Sequence, residues 1–230
     1  MLDPNRTLLE AAVRLLEPLL EDLVFVGGCA TGLLITDPAA EGIRPTKDVD
    51  VITEVASYGA YARLSERLRA LGLREDTRED APTCRWRYHD LIIDVMPTDE
   101  RILGFSNRWY GPAIAAAKSV AIAGLEPRVI TAVYYLATKL EAFRGRGSGD
   151  FGGSHDLEDL IAVVDGRAEI VEDEHQAESD VRLHVATEIR GLLQNPAFVD
   201  ALPGFLLPDA ASQQRLPILL DRLEQLSTFR

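Results

Sequence analysis

The chain has 230 residues, 47% hydrophobic and 27% charged, with a formal net charge of -13. That length and apolar share allow one large domain or two small ones with a sizeable core, and no apolar run approaches the length of a membrane span. The acidic excess repels a phosphate backbone at long range, which disfavours a broad nucleic-acid surface but leaves room for a local basic patch or for an anionic substrate delivered with a divalent cation.

The first residues, MLDPNRTLLE, carry acid and proline where a secretory leader needs a basic and then apolar stretch. Two cysteines, Cys29 and Cys84, lie far apart, so a reduced, cytoplasmic setting is expected. Thr7 and Glu10 fit a capping box, and Leu9, Val13, Leu16 and Leu20 recur at helical spacing, with Pro18 kinking or ending that helix. LVFVGG from Leu23 reads as a buried strand entering a glycine turn, followed by the short apolar helix CATGLLI and the loop DPAAEGIRP. DVDVI alternates as a strand, with Val49 and Val51 on one face and Asp48, Asp50 and Ile52 on the other. Tyr61, Leu64, Leu68 and Leu71 make a helical stripe that Gly72 stops. WRYHDLIIDVMP supplies the next extended segments, and Ser119–Ile122 one more.

From residue 125 the chain reads as helical. Val129, Val133, Leu136, Leu140 and Phe143 form one stripe, and Leu157, Leu160, Ile161 and Val164 another. Between them RGRGSGDFGGS is a glycine-rich connector. Val181, Val185, Ile189 and Leu192 mark a third helix, and Leu216, Leu219, Leu220, Leu223 and Leu226 a last one. The order predicts an α/β or α+β unit over roughly residues 20–124 and a helical remainder.

Asp48 and Asp50 share one side of their strand, and two carboxylates that close repel unless a cation or basic group sits between them. Such an oxygen pair suits Mg²⁺; a partly exposed strand end is the plainer reading. Asp94 interrupts the apolar run LIIDV, where an uncompensated carboxylate is costly. It converges with the other two on one sheet edge, or it pairs with Arg85 or Arg87. Gly27 and Gly28 join a strand to a helix start, where free backbone N–H groups can hold an anion; the later glycine of a dinucleotide fingerprint and the GK[ST] ending of a Walker A loop are both missing. Lys139 borders the apolar face beside Leu140, which on sequence alone favours a snorkelling surface lysine. Asp156 and Asp159 share a side of the next helix, where they orient Lys139 or Arg144, or favour the helix N-terminus. The four histidines lack zinc-ligand spacing, and Cys29 reads as a small buried filler. Arg101, Arg108 and Lys118 offer a local positive patch.

Taken together, VGGCATGLL (26–34), RPTKDVDV (44–51) and IIDV (92–95) resemble the DNA polymerase beta-like nucleotidyltransferase superfamily. With ATKLEAFR (137–144) and HDLEDL (155–160), the chain resembles within it the AbiEii/AbiGii family of nucleotidyltransferase-like toxins, whose partner genes encode antitoxins. The resemblance spans roughly residues 20–165. It implies an α+β nucleotidyltransferase fold: a small mixed β-sheet flanked by helices, then a C-terminal helical region. The core would occupy 1–124, and residues 125–230 would complete the active-site cleft. Asp48, Asp50 and Asp94 would be catalytic and would hold Mg²⁺, two ions in all. Gly27 and Gly28 would approach the phosphates of a nucleoside triphosphate, and Lys139 would face them. Cys29 stands where the superfamily has serine or threonine; a thiol is the poorer donor, and Thr31 or a backbone N–H is the substitute. The implied activity moves a nucleoside monophosphate to a hydroxyl of an RNA end or a protein side chain and releases pyrophosphate, with a cognate antitoxin as partner. Two other readings stay open: a non-catalytic nucleotide- or partner-binding module that kept the fold, and an aminoglycoside-type small-molecule nucleotidyltransferase.

Overall fold

The computed structural model describes residues 3–40, 42–55, 57–147 and 149–229. Helix α1 (Arg6–Leu15) buries Leu9, Ala12 and Val13, and Pro18 opens a separate 3-10 turn, Glu17–Asp22. No Thr7–Glu10 capping box forms, because α1 begins at Arg6 and Thr7 lies inside it. The side chain of Asn5, the residue before the helix, turns away and reaches Gly28 O and the Thr46 backbone N–H instead. Strand β1 (Val24–Val26) leads through the Gly28–Ala30 3-10 turn to α2 (Thr31–Leu34) and then to β2 (Val49–Thr53).

Ser57 caps α3 (Tyr58–Ala70) by accepting from Ala60 N at 3.2 Å, and Gly72 at φ +89° turns the chain out of it. There follow β3 (Arg74–Glu75), β4 (Arg85–Tyr88), β5 (Leu91–Pro97), α4 (Glu100–Leu103), α5 (Tyr110–Ala116), β6 (Lys118–Ser119) and β7 (Arg128–Val129). Val129 thus belongs to a strand, not to the helical stripe that its spacing suggests, and Ile122 makes only an isolated bridge with Leu125. The rest is helical: α6 (Ala132–Ala142), α7 (His155–Gly166), α8 (Ile170–Gln176), α9 (Ser179–Leu193), α10 (Pro196–Ala201), α11 (Ala210–Gln213) and α12 (Leu216–Leu226).

The chain forms two compact units. One comprises residues 4–30 and 45–131 and is built on a seven-stranded mixed sheet of order β3-β4-β5-β2-β1-β7-β6. β2 runs antiparallel to β1 and parallel to β5; β4 is antiparallel to β5. Val24, Phe25 and Val26 are all buried, as a central strand covered on both faces requires. Helices flank the sheet, α1 packing on β2 and β5 and α5 on β2.

The other unit comprises residues 1–3, 31–44 and 132–230. Its centre is α6, buried at every residue from Ala132 to Leu140 and packed against α7, α8 and α9. The C-terminal end of α7 is closed by arginines: Arg215 donates to Asp165 O at 2.9 Å and Arg222 to Val164 O at 3.0 Å, satisfying carbonyls that a helix end leaves free. The glycine-rich connector is anchored by Phe151, whose ring lies 5.8 Å from Phe143 and 6.0 Å from Phe198. Its Ser148 lies outside the described residues.

Candidate functional site

Period-two geometry and strand register decide where the acids go. Asp50 and Asp94 are register partners across the parallel pair β2–β5, so both side chains project from the same face. Asp48, two residues before Asp50, precedes the strand on that side. Arg85 on β4 is the antiparallel partner of Asp94 and joins them.

Arg85 grips Asp94 with two parallel bonds, Nε to Oδ1 at 2.8 Å and Nη2 to Oδ2 at 2.7 Å. Its Nη2 also donates to Asp48 Oδ2 at 2.8 Å. Thr46 holds the other Asp48 oxygen, Oγ1 to Oδ1 at 2.9 Å. Asp94 is buried and Asp48 part-exposed. The hydrogen bond to Asp94, with the charges of Asp94 and Asp48, holds Arg85 firmly protonated, above its ordinary range. Beside the cluster, the Cys84 thiol is pushed up to about 12, first by burial and then by the charges of Asp94 and Asp50. Among the described residues no group of three or more His, Cys, Asp or Glu side chains stands ready as a metal site. Asp48 and Asp94 are gathered around a guanidinium.

The glycine turn abuts the acids. Asp50 is paired in register with Val26, so Gly27 follows directly beside its carboxylate. Gly27 sits at φ +67°, and a Cβ there would lie 1.8 Å from Asp50 Oδ2. Only glycine fits both the backbone angle and the space. Cys29 is buried, and its Sγ–H donates to Val26 O at 3.2 Å. The thiol is thereby committed to the turn itself.

Thr31 and Lys139 belong to the helical unit, where Tyr135 connects them. Thr31 Oγ1 and the Tyr135 hydroxyl are 2.6 Å apart, and Lys139 Nζ lies 5.7 Å from the centre of the Tyr135 ring, one helical turn along. Lys139 is not a snorkelling surface residue: it is 8% exposed and donates to Asp159 Oδ2 at 2.6 Å and Asp156 Oδ1 at 3.2 Å. Burial pulls its pKa down, but Tyr135, Asp159 and Asp156 outweigh burial and hold the ammonium above its usual range. Asp159 is shared, since Arg44 forks onto it with bonds of 2.8 and 2.9 Å.

Arg44 and Thr46 lie within RPTKDVDV, and their alternation with Asp48 is the only signal that marks them. Arg85 stands in the alternating pair Arg85–Arg87 around the buried Trp86. Arg87 instead approaches Asp76 at 3.6 Å. Of the proposed positive patch, Arg101 is tied to Asp99 and Arg108 lies over the Trp109 ring at 5.1 Å.

No protein-family model matches the sequence, and no curated protein matches it either. Among solved structures the chain is similar to an antigenic nucleotidyltransferase-like protein from Paracoccidioides brasiliensis, with a TM-score of 0.52 and 20% sequence identity over 87% of this chain and 92% of that one. The fold is nucleotidyltransferase-like. In this fold, Gly27, Gly28, Asp48, Asp50 and Asp94 stand in the sheet unit, with Thr31 and Lys139 in the helical unit. Among the described residues no helix is long and apolar enough to cross a membrane.

Proposed function

We propose that the chain is a metal-dependent nucleotidyltransferase, and the observation that carries this reading is Asp50 opposite Asp94 in register beside the Gly27 turn. The donor set suits Mg²⁺: the side chains are hard carboxylate oxygens, and a cation already stands between Asp48 and Asp94 in the form of Arg85. Asp48, Asp50 and Asp94 would hold the metal, which when bound supplies charge neutralisation for a triphosphate and polarises the attacking hydroxyl. Asp94 orients that hydroxyl and takes its proton. The hydroxyl oxygen then bonds to the α-phosphorus while the bond to the β-phosphate oxygen breaks, so pyrophosphate leaves. Gly27 and Gly28 let the backbone approach the nucleotide. Lys139, positioned by Asp156 and Asp159, serves the phosphates on the strength of the motif resemblance.

The same motifs support a toxin of the AbiEii/AbiGii kind acting on an RNA end or a protein hydroxyl, with a cognate antitoxin. The charge of -13 favours the smaller or protein acceptor over an extended RNA surface. Purified protein, Mg²⁺ and each of the four α-labelled nucleoside triphosphates, incubated with cellular RNA or protein, test this. Label transfer with pyrophosphate release is expected, and unchanged turnover after Asp48→Asn or Asp94→Asn would refute the roles given to those residues. One observation favours a second reading, a non-catalytic module. Arg85 occupies both oxygens of Asp94. Triphosphate binding without pyrophosphate release would support it.

A further inference from the structure

Arg85 spends its hydrogen bonds on the two outer carboxylates of the proposed metal set. It takes both oxygens of Asp94 and one of Asp48, at 2.7–2.8 Å, the short range of charge-assisted bonds. Its backbone is fixed on both sides, Arg85 N donating to Pro82 O at 3.0 Å and Arg85 O accepting from Asp76 N at 2.9 Å. Any departure of the guanidinium is therefore a side-chain rotation with the strand left in place. A guanidinium and a divalent cation seek the same oxygens and carry the same sign of charge, so they cannot share them. Without a cation, Asp48 and Asp94 would repel each other in a partly dry site, where like charges are least screened.

We infer that Arg85 is a built-in competitor for divalent cations: it holds Asp48 and Asp94 closed until a metal arriving with its triphosphate displaces the guanidinium. The inference rests on the metal-dependent reading given above and adds a property which that reading does not require. Free Mg²⁺ is a poor match for Arg85, because it gives up its water shell reluctantly and must also break three charge-assisted bonds. A triphosphate tips the balance by adding anionic oxygens to the metal's shell and a second partner for the released arginine. Arg85 is thus a positioning residue that couples metal entry to nucleotide arrival.

Mn²⁺ titration of the full chain, followed by electron paramagnetic resonance and calorimetry, tests this without any turnover. Wild type is expected to bind Mn²⁺ weakly alone and tightly with a non-hydrolysable triphosphate. R85Q should bind Mn²⁺ alone about tenfold tighter or more, the scale on which losing a charged hydrogen bond is felt. R85K should fall between, since it keeps the charge and loses the planar fork. Thermal melts supply a second readout: Mn²⁺ should raise the melting temperature of R85Q more than that of wild type, even if R85Q begins less stable. If R85K alone folds, its Mn²⁺ affinity against wild type decides. Equal Mn²⁺ affinity in wild type, R85Q and R85K, abolished in each by Asp48→Asn, would overturn the competition and leave the metal-dependent reading standing. No Mn²⁺ binding by any of them, with the triphosphate analogue present, would overturn both.

Discussion

Gly27 and Asp50 compete for one volume: the Cβ that any other residue would carry at position 27 falls 1.8 Å from Asp50 Oδ2 and 2.6 Å from its Cγ. The register pair Val26–Asp50 forces this, because it brings the turn directly against the side chain. Gly27→Ala meets both the clash and a φ of +67°, so a loss of about 1–3 kcal/mol in urea denaturation is expected, with pyrophosphate release falling more steeply than stability. If both stay at wild-type levels, Asp50 has another seat and its proposed role fails.

Lys139 and Arg44 share Asp159, and the sharing predicts how they couple. Lys139→Met removes from a buried site the ammonium that Asp156 and Asp159 share, a loss of roughly 3–5 kcal/mol. Arg44→Gln should cost less, because Lys139 still holds Asp159. In the double variant Asp159 has neither cation, so the combined loss should exceed the sum of the singles. Additive losses in chemical denaturation would show that the two cations do not act on one carboxylate.

The three apolar strands and the face of the acids were legible because period-two alternation needs no long-range knowledge: DVDVI and LIIDV each place their aspartates, and only the register had to come from the fold. Two misreadings, and one choice the sequence leaves open, have physical reasons. Lys139 next to Leu140 looks like a residue at the edge of an apolar face, but α6 is packed on by α7, α8 and α9, so it has no solvent edge to snorkel to. Val129 fits a helical stripe by spacing, yet Arg128 and Val129 pair with β1, and two residues are too few to show a period. Arg85 was one of two candidates for Asp94, and only the β4–β5 register separates it from Arg87, whose partner in that ladder is Ile92.

Thr31 and Tyr135 share one short hydroxyl contact at 2.6 Å. Tyr135→Phe removes one partner and leaves a buried Thr31 hydroxyl, a cost of about 1–3 kcal/mol. Thr31→Val removes the other and takes from the Tyr135 hydroxyl its 2.6 Å partner. If Thr31 also serves the nucleotide in place of Cys29, Thr31→Val alone should raise the KM for triphosphate at matched stability. Equal KM values in both variants would confine Thr31 to a structural role.

Buried groups with raised pKa values set an alkaline limit, Cys84 and Lys139 among them. Cys84 titrates at about 12 in the native chain against 9.0 unfolded, since burial and the nearby Asp94 and Asp50 oppose a thiolate. Lys139 is likewise held above its unfolded value of 10.5, Tyr135, Asp159 and Asp156 outweighing burial. Both native pKa values are raised, so the sign is common: the stability they contribute is complete below pH 9 and declines as the unfolded chain releases protons that the folded chain keeps. Urea midpoints should hold steady from pH 7 to about 8.5 and fall from pH 9 upward. Cys84→Ala should flatten the first part of that fall, between pH 9 and about 10, and leave the later part to Lys139 and to Tyr61 and Tyr134, whose hydroxyls burial holds above their ordinary value. The same shift keeps the Cys84 thiol protonated at pH 8, so iodoacetamide should label it only on unfolding. Fast labelling of Cys84 in native protein, or an identical alkaline profile in Cys84→Ala, would mean that burial and the acid cluster do not together disfavour the thiolate.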